Sequence, residues 1–252
     1  YISAAEGLGK FLVENLYDNG RLYRAWKGGR SNLLGYLEDY STSAIALLSL
    51  HEASFSHQWL AIAKSLTDEM LTLFWDPERK LLFDVGTDHE QLTVRPREVF
   101  DNAIPSGNST AAELLLRMSK ITGDPSYRII ATQLIESASN YFPVYSMGFG
   151  QWLSTVELYL AKPMEIAIIG NRQDQQVSDM LQLINTIYLP HKVLVGSNTS
   201  ENVGFTTPIL EGKLQQSDAA SVYICEDYAC KLPVRTLQDL KDQLNDIVNK
   251  RS

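Results

Sequence analysis

The chain has 252 residues, 44% of them hydrophobic, which is enough to fill the core of one large domain with a small appendage. Its 22 Lys and Arg against 30 Asp and Glu give a formal net charge of −8, and the basic residues are scattered. This charge disfavours nucleic acid as a partner. No apolar run approaches the roughly 20 residues that cross a bilayer, so we expect a globular protein without a membrane as partner.

The first predicted element is an amphipathic helix over residues 3–17. The chain starts at Tyr1, without a Met and directly inside this helical pattern. We therefore expect the chain to be the C-terminal piece of a larger protein.

An internal repeat with an offset of 68 residues follows. Segment 41–48 aligns with 109–116, and the same offset brings Trp59 to Tyr127 and Ala63 to Ala131. Each unit predicts a helix, a short turn and a second helix.

The two helices of each unit differ in polarity. Segments 41–50 and 109–118 are small or apolar nearly all round, which predicts inner helices buried on both sides. Segments 57–74 and 126–141 carry charges opposite an apolar stripe and are predicted outer helices, and 149–161 is a third predicted inner helix. Between the units, residues 81–87 and 91–94 predict a β-hairpin insertion.

The composition changes after Lys162 and Pro163. Strands are predicted at 165–169, 192–196 and 220–225, a helix at 173–188, and a closing helix at 236–249 that starts from Thr236 as its N-cap. This is a β-α-β unit with a small parallel sheet. The turn at Gly170 lacks a dinucleotide-binding glycine pattern, which disfavours a nucleotide site.

The predicted fold is mainly α. About three α-hairpins over residues 1–162 would form half of an α/α toroid, and 163–252 would form the small α/β appendage. A closed toroid of this kind has six hairpins, so the apolar edge would be covered by another chain, by self-association of this one, or left exposed.

Cys225 and Cys230 are the only cysteines, too few for a secreted disulfide framework. Two reduced structural thiols in a reducing, cytoplasmic setting are the favoured interpretation, and a disulfide or redox role is the alternative. The spacing does not match a zinc site, and the four His residues are isolated, so no metal and no cofactor is expected.

The candidate site lies where the N-termini of the inner helices gather, at one end of the predicted toroid. Glu38 and Asp39 there are candidates for general acid and base on a sugar, although acidic residues in a first helical turn also serve as caps. Trp26, Tyr40 and Trp75 could stack on sugar rings, but core packing is the commoner fate of such residues.

Charged residues also precede the second inner helix. Arg95, Arg97, Glu98 and Asp101 lie just before it and could reach the same end of the toroid. Arg97 and Asp101 either belong to the candidate site at this end or form a structural ion pair.

Several segments resemble one family. They are Leu37-Glu38-Asp39-Tyr40, Arg95-Pro96-Arg97, the string from Asp101 to Ser109 (DNAIPSGNS), Thr122-Gly123-Asp124, and Cys225 to Cys230. In this order they resemble the C-terminal part of the YyaL-type, spermatogenesis-associated, thioredoxin-domain-containing family.

The resemblance implies an N-terminal thioredoxin-like domain and further hairpins, both missing from this chain, and a six-hairpin toroid similar to N-acylglucosamine 2-epimerases and six-hairpin glycosidases. It thereby implies a sugar-like ligand, with hydrolase or epimerase-like activity if the protein is an enzyme. The alternative is a non-catalytic scaffold for a thioredoxin-like domain or a client protein. The predicted catalytic residues are Glu38, Asp39 and Asp101, and the predicted ligand-binding residues are Tyr40, Arg95, Arg97, Ser106, Gly107 and Asn108.

Overall fold

A computed structural model describes residues 1–91, 93–161, 163–198, 204–205, 207–214 and 220–251 of the chain. The helices in this part are α1 (Ile2–Asn15), α2 (Leu37–Ser54), α3 (His57–Phe74), α4 (Gly107–Thr122), α5 (Pro125–Ser139), α6 (Gly150–Leu160), α7 (Gln175–Thr186) and α8 (Leu237–Arg251). The strands are β1 (Tyr17–Asp18), β2 (Arg21–Leu22), β3 (Trp75–Asp76), β4 (Leu81–Leu82), β5 (Met164–Ile169), β6 (Lys192–Ser197), β7 (Ser221–Glu226) and β8 (Ala229–Cys230). The protein is thus mainly helical, as the periodicity predicts.

Helices α2, α4 and α6 form an inner row against which α1, α3 and α5 pack. The inner helix α4 is buried almost all round, whereas α3 and α5 bury one stripe that includes Trp59, Leu66, Tyr127 and Leu134. The difference in polarity within each repeat unit therefore reports the position of each helix in the layer.

Two local signals end the first helix of each unit. Helix α2 stops at Phe55 and helix α4 at Gly123, both in the left-handed conformation with φ of 62° and 73°. Each backbone amide there donates to a carbonyl four residues back, to His51 and Ser119 respectively. This αL ending turns the chain back for the second helix.

The C-terminal sheet has the strand order β6-β5-β7-β8. Strand β5 pairs with β6 in parallel and with β7 antiparallel, so the sheet is mixed and not the parallel sheet predicted from sequence. Because β7 runs opposite to β5, it needs no right-handed βαβ connection.

The sheet is covered on both faces. Ala167, Ile169 and Val195 belong to the hydrophobic core of the inner helices. Ile168 and Leu194, on the other face, pack under α7 and α8. This explains why β5 reads as a continuous apolar run: it is buried at every position.

The predicted β-hairpin over residues 81–94 is wrong among the described residues. Leu81 and Leu82 pair backward with Trp75 and Asp76, immediately after α3. The chain beyond is held by single contacts, such as the Asp84 amide donating to Pro96 O at 2.9 Å. Two-residue strands carry too little alternation to be recognised from sequence.

The favoured interpretation of reduced thiols is also wrong for this structure. Cys225 and Cys230 are cross-strand partners on β7 and β8, and they form a disulfide. The turn between them places Asp227 and Tyr228 at positive φ (49° and 63°), the geometry of a tight two-residue hairpin. The hairpin itself brings the two sulfurs together, so the small number of cysteines in the chain was no argument against a disulfide.

None of the helices in the described ranges is long and apolar enough to cross a membrane.

Candidate functional site

The N-termini of the three inner helices meet at one end of the layer. A Cβ built on Gly107 would lie 2.7 Å from Leu37 Cγ and 3.0 Å from the Glu38 backbone nitrogen. Only a glycine lets α4 begin this close to α2. The segments 37–40 and 106–108, predicted to be neighbours from the repeat, adjoin in the structure.

Asp101 joins the other two N-termini. Its Oδ1 accepts from the Ser106 amide at 2.9 Å and from Ser109 Oγ at 2.7 Å, at the start of α4. Its Oδ2 accepts from the amides of Gln151 (2.9 Å) and Trp152 (3.3 Å), at the start of α6. One carboxylate thus caps two helices, which favours a structural role over the predicted catalytic one.

Asp39 and Tyr40 are likewise engaged inside the protein. Asp39 Oδ2 accepts from the Tyr36 amide at 2.8 Å, as the acidic residue of a capping box does. Burial raises the pKa of Asp39 although this amide and Arg24 lower it. Tyr40 is fully buried, and its hydroxyl accepts from the Leu22 amide at 2.8 Å.

The two arginines point into the loop that precedes α4. Arg95 donates to Val85 O at 2.5 Å and to Leu73 O at 3.3 Å. Arg97 pairs with Asp76 at 2.6 Å, so the predicted pair with Asp101 is wrong. Both guanidinium groups lie over the Phe83 ring, at 3.8 and 3.9 Å from its centroid, and fix the path of this loop.

The polar residues at the start of α4 also serve the backbone. Asn108 is fully buried and bonds both the amide and the carbonyl of Leu82, at 2.8 and 2.9 Å. Ser106 is the N-cap, and its Oγ accepts from the Ser109 amide at 3.1 Å. These two hydrogen bonds hold β4 against α4. Asp84, two residues after Leu82, is thereby placed near the N-termini of α2 and α4.

A pocket of about 250 Å³ opens between α2 and α4 at this end. It is lined by Arg24, Tyr36, Glu38, Asp84, Glu98, Phe100, Asn102, Ile104, Pro105, Ser106 and Gly107. Of the residues predicted as the site, it brings together Glu38, Ser106 and Gly107; the other six do not line it. Trp26 and Trp75, which the sequence offered as candidates for sugar stacking or for core packing, do not line it either.

Three carboxylates share this pocket: Glu38, Asp84 and Glu98. The Glu98 amide donates to Asp84 at 2.9 Å (Oδ2) and 3.1 Å (Oδ1). Burial raises the pKa of Asp84, and the charges of Glu98 and Glu38 raise it further, against the effect of this amide. Among the described residues, Arg24 is the only cation that lines the pocket; it bonds Glu38 at 2.7 Å and lies over the Tyr36 ring at 4.6 Å.

Two of these carboxylates lie in the irregular segment between α3 and α4. Sequence reasoning placed Glu98 near the helix ends without assigning it a role, and it missed Asp84. The position of Asp84 depends on backbone contacts, since the Leu37 amide donates to Asp84 O at 3.0 Å. The sequence did hold one indication of this position. The connection from α3 to α4 must run to the end of the layer where α2 and α4 begin, so its acidic residues were candidates for that site.

A wider depression of about 520 Å³ lies toward the other end of α2 and α4, lined by Glu52, Arg117 and Lys192 among others. Arg117 there is already paired with Glu113 at 2.8 Å and with Glu52 at 3.7 Å. The described residues hold no cluster of three His, Cys, Asp or Glu side chains able to bind a metal ion. The pocket at the helix N-termini is the stronger candidate.

Comparison with known proteins finds relatives that match nearly the whole chain. Spermatogenesis-associated protein 20 of mouse is 30% identical over 97% of the chain, and the human protein of that name is 28% identical over the same share. Over nearly its whole length the chain is therefore similar to spermatogenesis-associated protein 20. An uncharacterised protein of Caenorhabditis elegans is 23% identical, also over 97% of the chain.

The chain spans about a third of the length of these spermatogenesis-associated protein 20 relatives, 32% of the mouse protein and 33% of the human one. No family model matches the chain. The relatives' names state no ligand or reaction, so the function must be argued from the pocket itself.

Proposed function

We propose that the chain forms about half of an α/α toroid and binds a neutral, sugar-like ligand in the pocket at the inner-helix N-termini. The observation that carries this proposal is the grouping of Glu38, Asp84 and Glu98 with the rings of Tyr36 and Phe100 around one pocket. Carboxylates accept hydrogen bonds from hydroxyls, and aromatic rings pack against the apolar face of a sugar. Three carboxylates against one arginine disfavour an anionic ligand.

The same group supplies a chemical asymmetry. Burial and the neighbouring charges of Glu98 and Glu38 raise the pKa of the Asp84 carboxyl, so Asp84 takes up a proton more readily than an ordinary aspartate, and Glu98 lies beside it. A protonated carboxyl next to other carboxylates is the arrangement used for general acid and base chemistry on sugars. Asp84 is therefore the proton donor in this proposal, and Glu38 or Glu98 the acceptor.

Calorimetric titration of the chain with neutral monosaccharides and oligosaccharides tests the proposal. Glu98→Gln should abolish binding without loss of stability, because glutamine keeps the oxygen that accepts from the amides of Val99 and Phe100. Glu38→Gln should weaken binding similarly. Glu14→Gln, an exposed position on α1, is the control. The proposal fails if no sugar binds, or if the two pocket variants bind as the control does.

A non-catalytic scaffold is the second candidate. It is favoured by the internal use of Asp39, Asp101 and Asn108, whose side chains are engaged in backbone contacts. Glu38→Gln separates the two: lost sugar binding at unchanged melting temperature supports the first function, whereas absence of sugar binding by the wild-type chain supports the scaffold.

A further inference from the structure

Three aromatic side chains next to the pocket are unusually exposed. Phe100, Tyr141 and Tyr145 have 40%, 47% and 58% of their surface accessible. Their ring centroids lie 6.1 Å (Phe100 to Tyr141) and 6.4 Å (Phe100 to Tyr145) apart. We call these three residues the aromatic platform. Single exposed aromatics are common, but a contiguous group marks a binding surface.

The rings of the aromatic platform are held in place from below. Phe149, fully buried, lies 4.9 Å from the Phe100 ring and is stacked with Tyr141 at 6.3 Å and an interplanar angle of 7°. A Cβ on Gly148 would come within 2.7 Å of the Tyr145 ring and 3.3 Å of the Phe100 ring. Glycine at this position lets both rings lie against the backbone, so a ligand need not order them.

Phe100 also lines the pocket, so the aromatic platform and the pocket form one continuous surface. The pocket volume of about 250 Å³ is below the roughly 300–1,000 Å³ of sites that enclose a drug-sized molecule. A ligand longer than one sugar ring must therefore leave the pocket, and it leaves across Phe100 onto exposed rings.

We propose that the aromatic platform is a second subsite, on which Tyr141 and Tyr145 stack the following units of a neutral oligosaccharide whose terminal unit occupies the pocket. This inference rests on the proposed function and names its substrate class as a sugar chain rather than a free monosaccharide. Flat, fixed aromatic rings beside hydrogen-bonding carboxylates match a sugar chain, which has apolar faces and hydroxyl edges.

The test is calorimetric titration with glucose and with α-1,4- and β-1,4-linked glucose oligomers of two and three units. Affinity for one of the two series should rise about tenfold from glucose to the oligomers, the gain expected of a stacked aromatic contact. Tyr145→Ala and Tyr141→Ala should remove this gain and leave glucose binding unchanged. Tyr188→Ala, at an 82% exposed tyrosine in the loop after α7, is the matched control.

A second variant guards against misfolding. Tyr145→Phe, which keeps the ring and removes only the hydroxyl, should retain the length dependence. Equal affinity for glucose and the oligomers overturns the second subsite but not the pocket, whereas absence of binding at every length overturns both. Sedimentation of a dimer that Tyr145→Ala dissociates, without any length dependence, would identify the aromatic platform as a protein interface and also overturn the inference.

Discussion

Asp101 offers the sharpest test of whether a carboxylate at this end of the molecule is structural. Asp101→Ala removes the acceptor for an amide and a hydroxyl of α4 and for two amides of α6. An N-cap is worth about 1 kcal/mol per helix, and hydrogen bonds to a charged group contribute more than neutral ones. We expect a loss of about 3 kcal/mol in the free energy of unfolding. Asp101→Asn, with one acceptor oxygen, can cap only one helix and should lose about 1.5 kcal/mol.

Urea unfolding followed by far-UV circular dichroism measures these differences. Asp18→Ala is the control, since Asp18 forms an exposed ion pair with Arg30 at 3.3 Å and should change stability by less than about 0.5 kcal/mol. The reasoning is refuted if Asp101→Ala unfolds like the control and yet loses ligand binding. In that case Asp101 would be a ligand-contacting residue, as the sequence predicts.

Three further predictions concern groups away from Asp101. Burial lowers the pKa of His51 from 6.5 to about 4, so the folded protein resists protonation of this imidazole. The free energy of unfolding is therefore highest above pH 6.5 and falls by roughly 3 kcal/mol between pH 6.5 and pH 4. His51→Asn should flatten this part of the stability profile in urea titrations. Asp84→Asn should match or exceed the wild-type stability at pH 7, because the raised pKa of Asp84 means that its charged form destabilises the fold. The advantage of the variant should shrink as the pH falls and Asp84 takes up its proton. An advantage that grows on acidification would contradict this. Gly196→Ala should lower the free energy of unfolding by about 3 kcal/mol, since its Cβ would lie 2.0 Å from the buried ring of Phe55. Gly7→Ala, on the exposed side of α1, is the control and should not destabilise the protein in the same urea unfolding experiment.

The helical part of the fold could be predicted because its signals are local and repeated. The predicted outer helix 57–74 coincides with α3 (His57–Phe74), and the other helices of the layer differ from prediction by a few residues at their ends. Burial requires an apolar stripe every 3.6 residues, and the 68-residue offset supplies that stripe twice. The proximity of the inner-helix N-termini follows from the same repeat.

The parts that sequence reasoning missed depend on contacts between distant segments. Nothing near Arg97 in the chain indicates that its partner is Asp76, because the pair forms only once β3 and the loop before α4 meet. Asp84 enters the pocket through bonds to Leu37 and Glu98, which are remote from it in the chain. The disulfide between Cys225 and Cys230 follows from a two-residue hairpin whose second strand is too short to predict.

The acidic residues at the inner-helix N-termini divide by how many of their acceptor positions the protein itself occupies. Asp101 uses both oxygens for helix amides and a hydroxyl. Glu98 engages Oε1 with the amides of Val99 and Phe100, and in the described residues its Oε2 accepts no hydrogen bond. A carboxylate that lines a pocket with an unoccupied oxygen can accept a ligand hydroxyl without leaving a helix end uncapped. In the sequence all of these residues lie at or just before the start of a helix. The hydrogen bonds of the folded chain distinguish them: Glu98 has an oxygen available to a ligand in the pocket, and Asp101 caps α4 and α6.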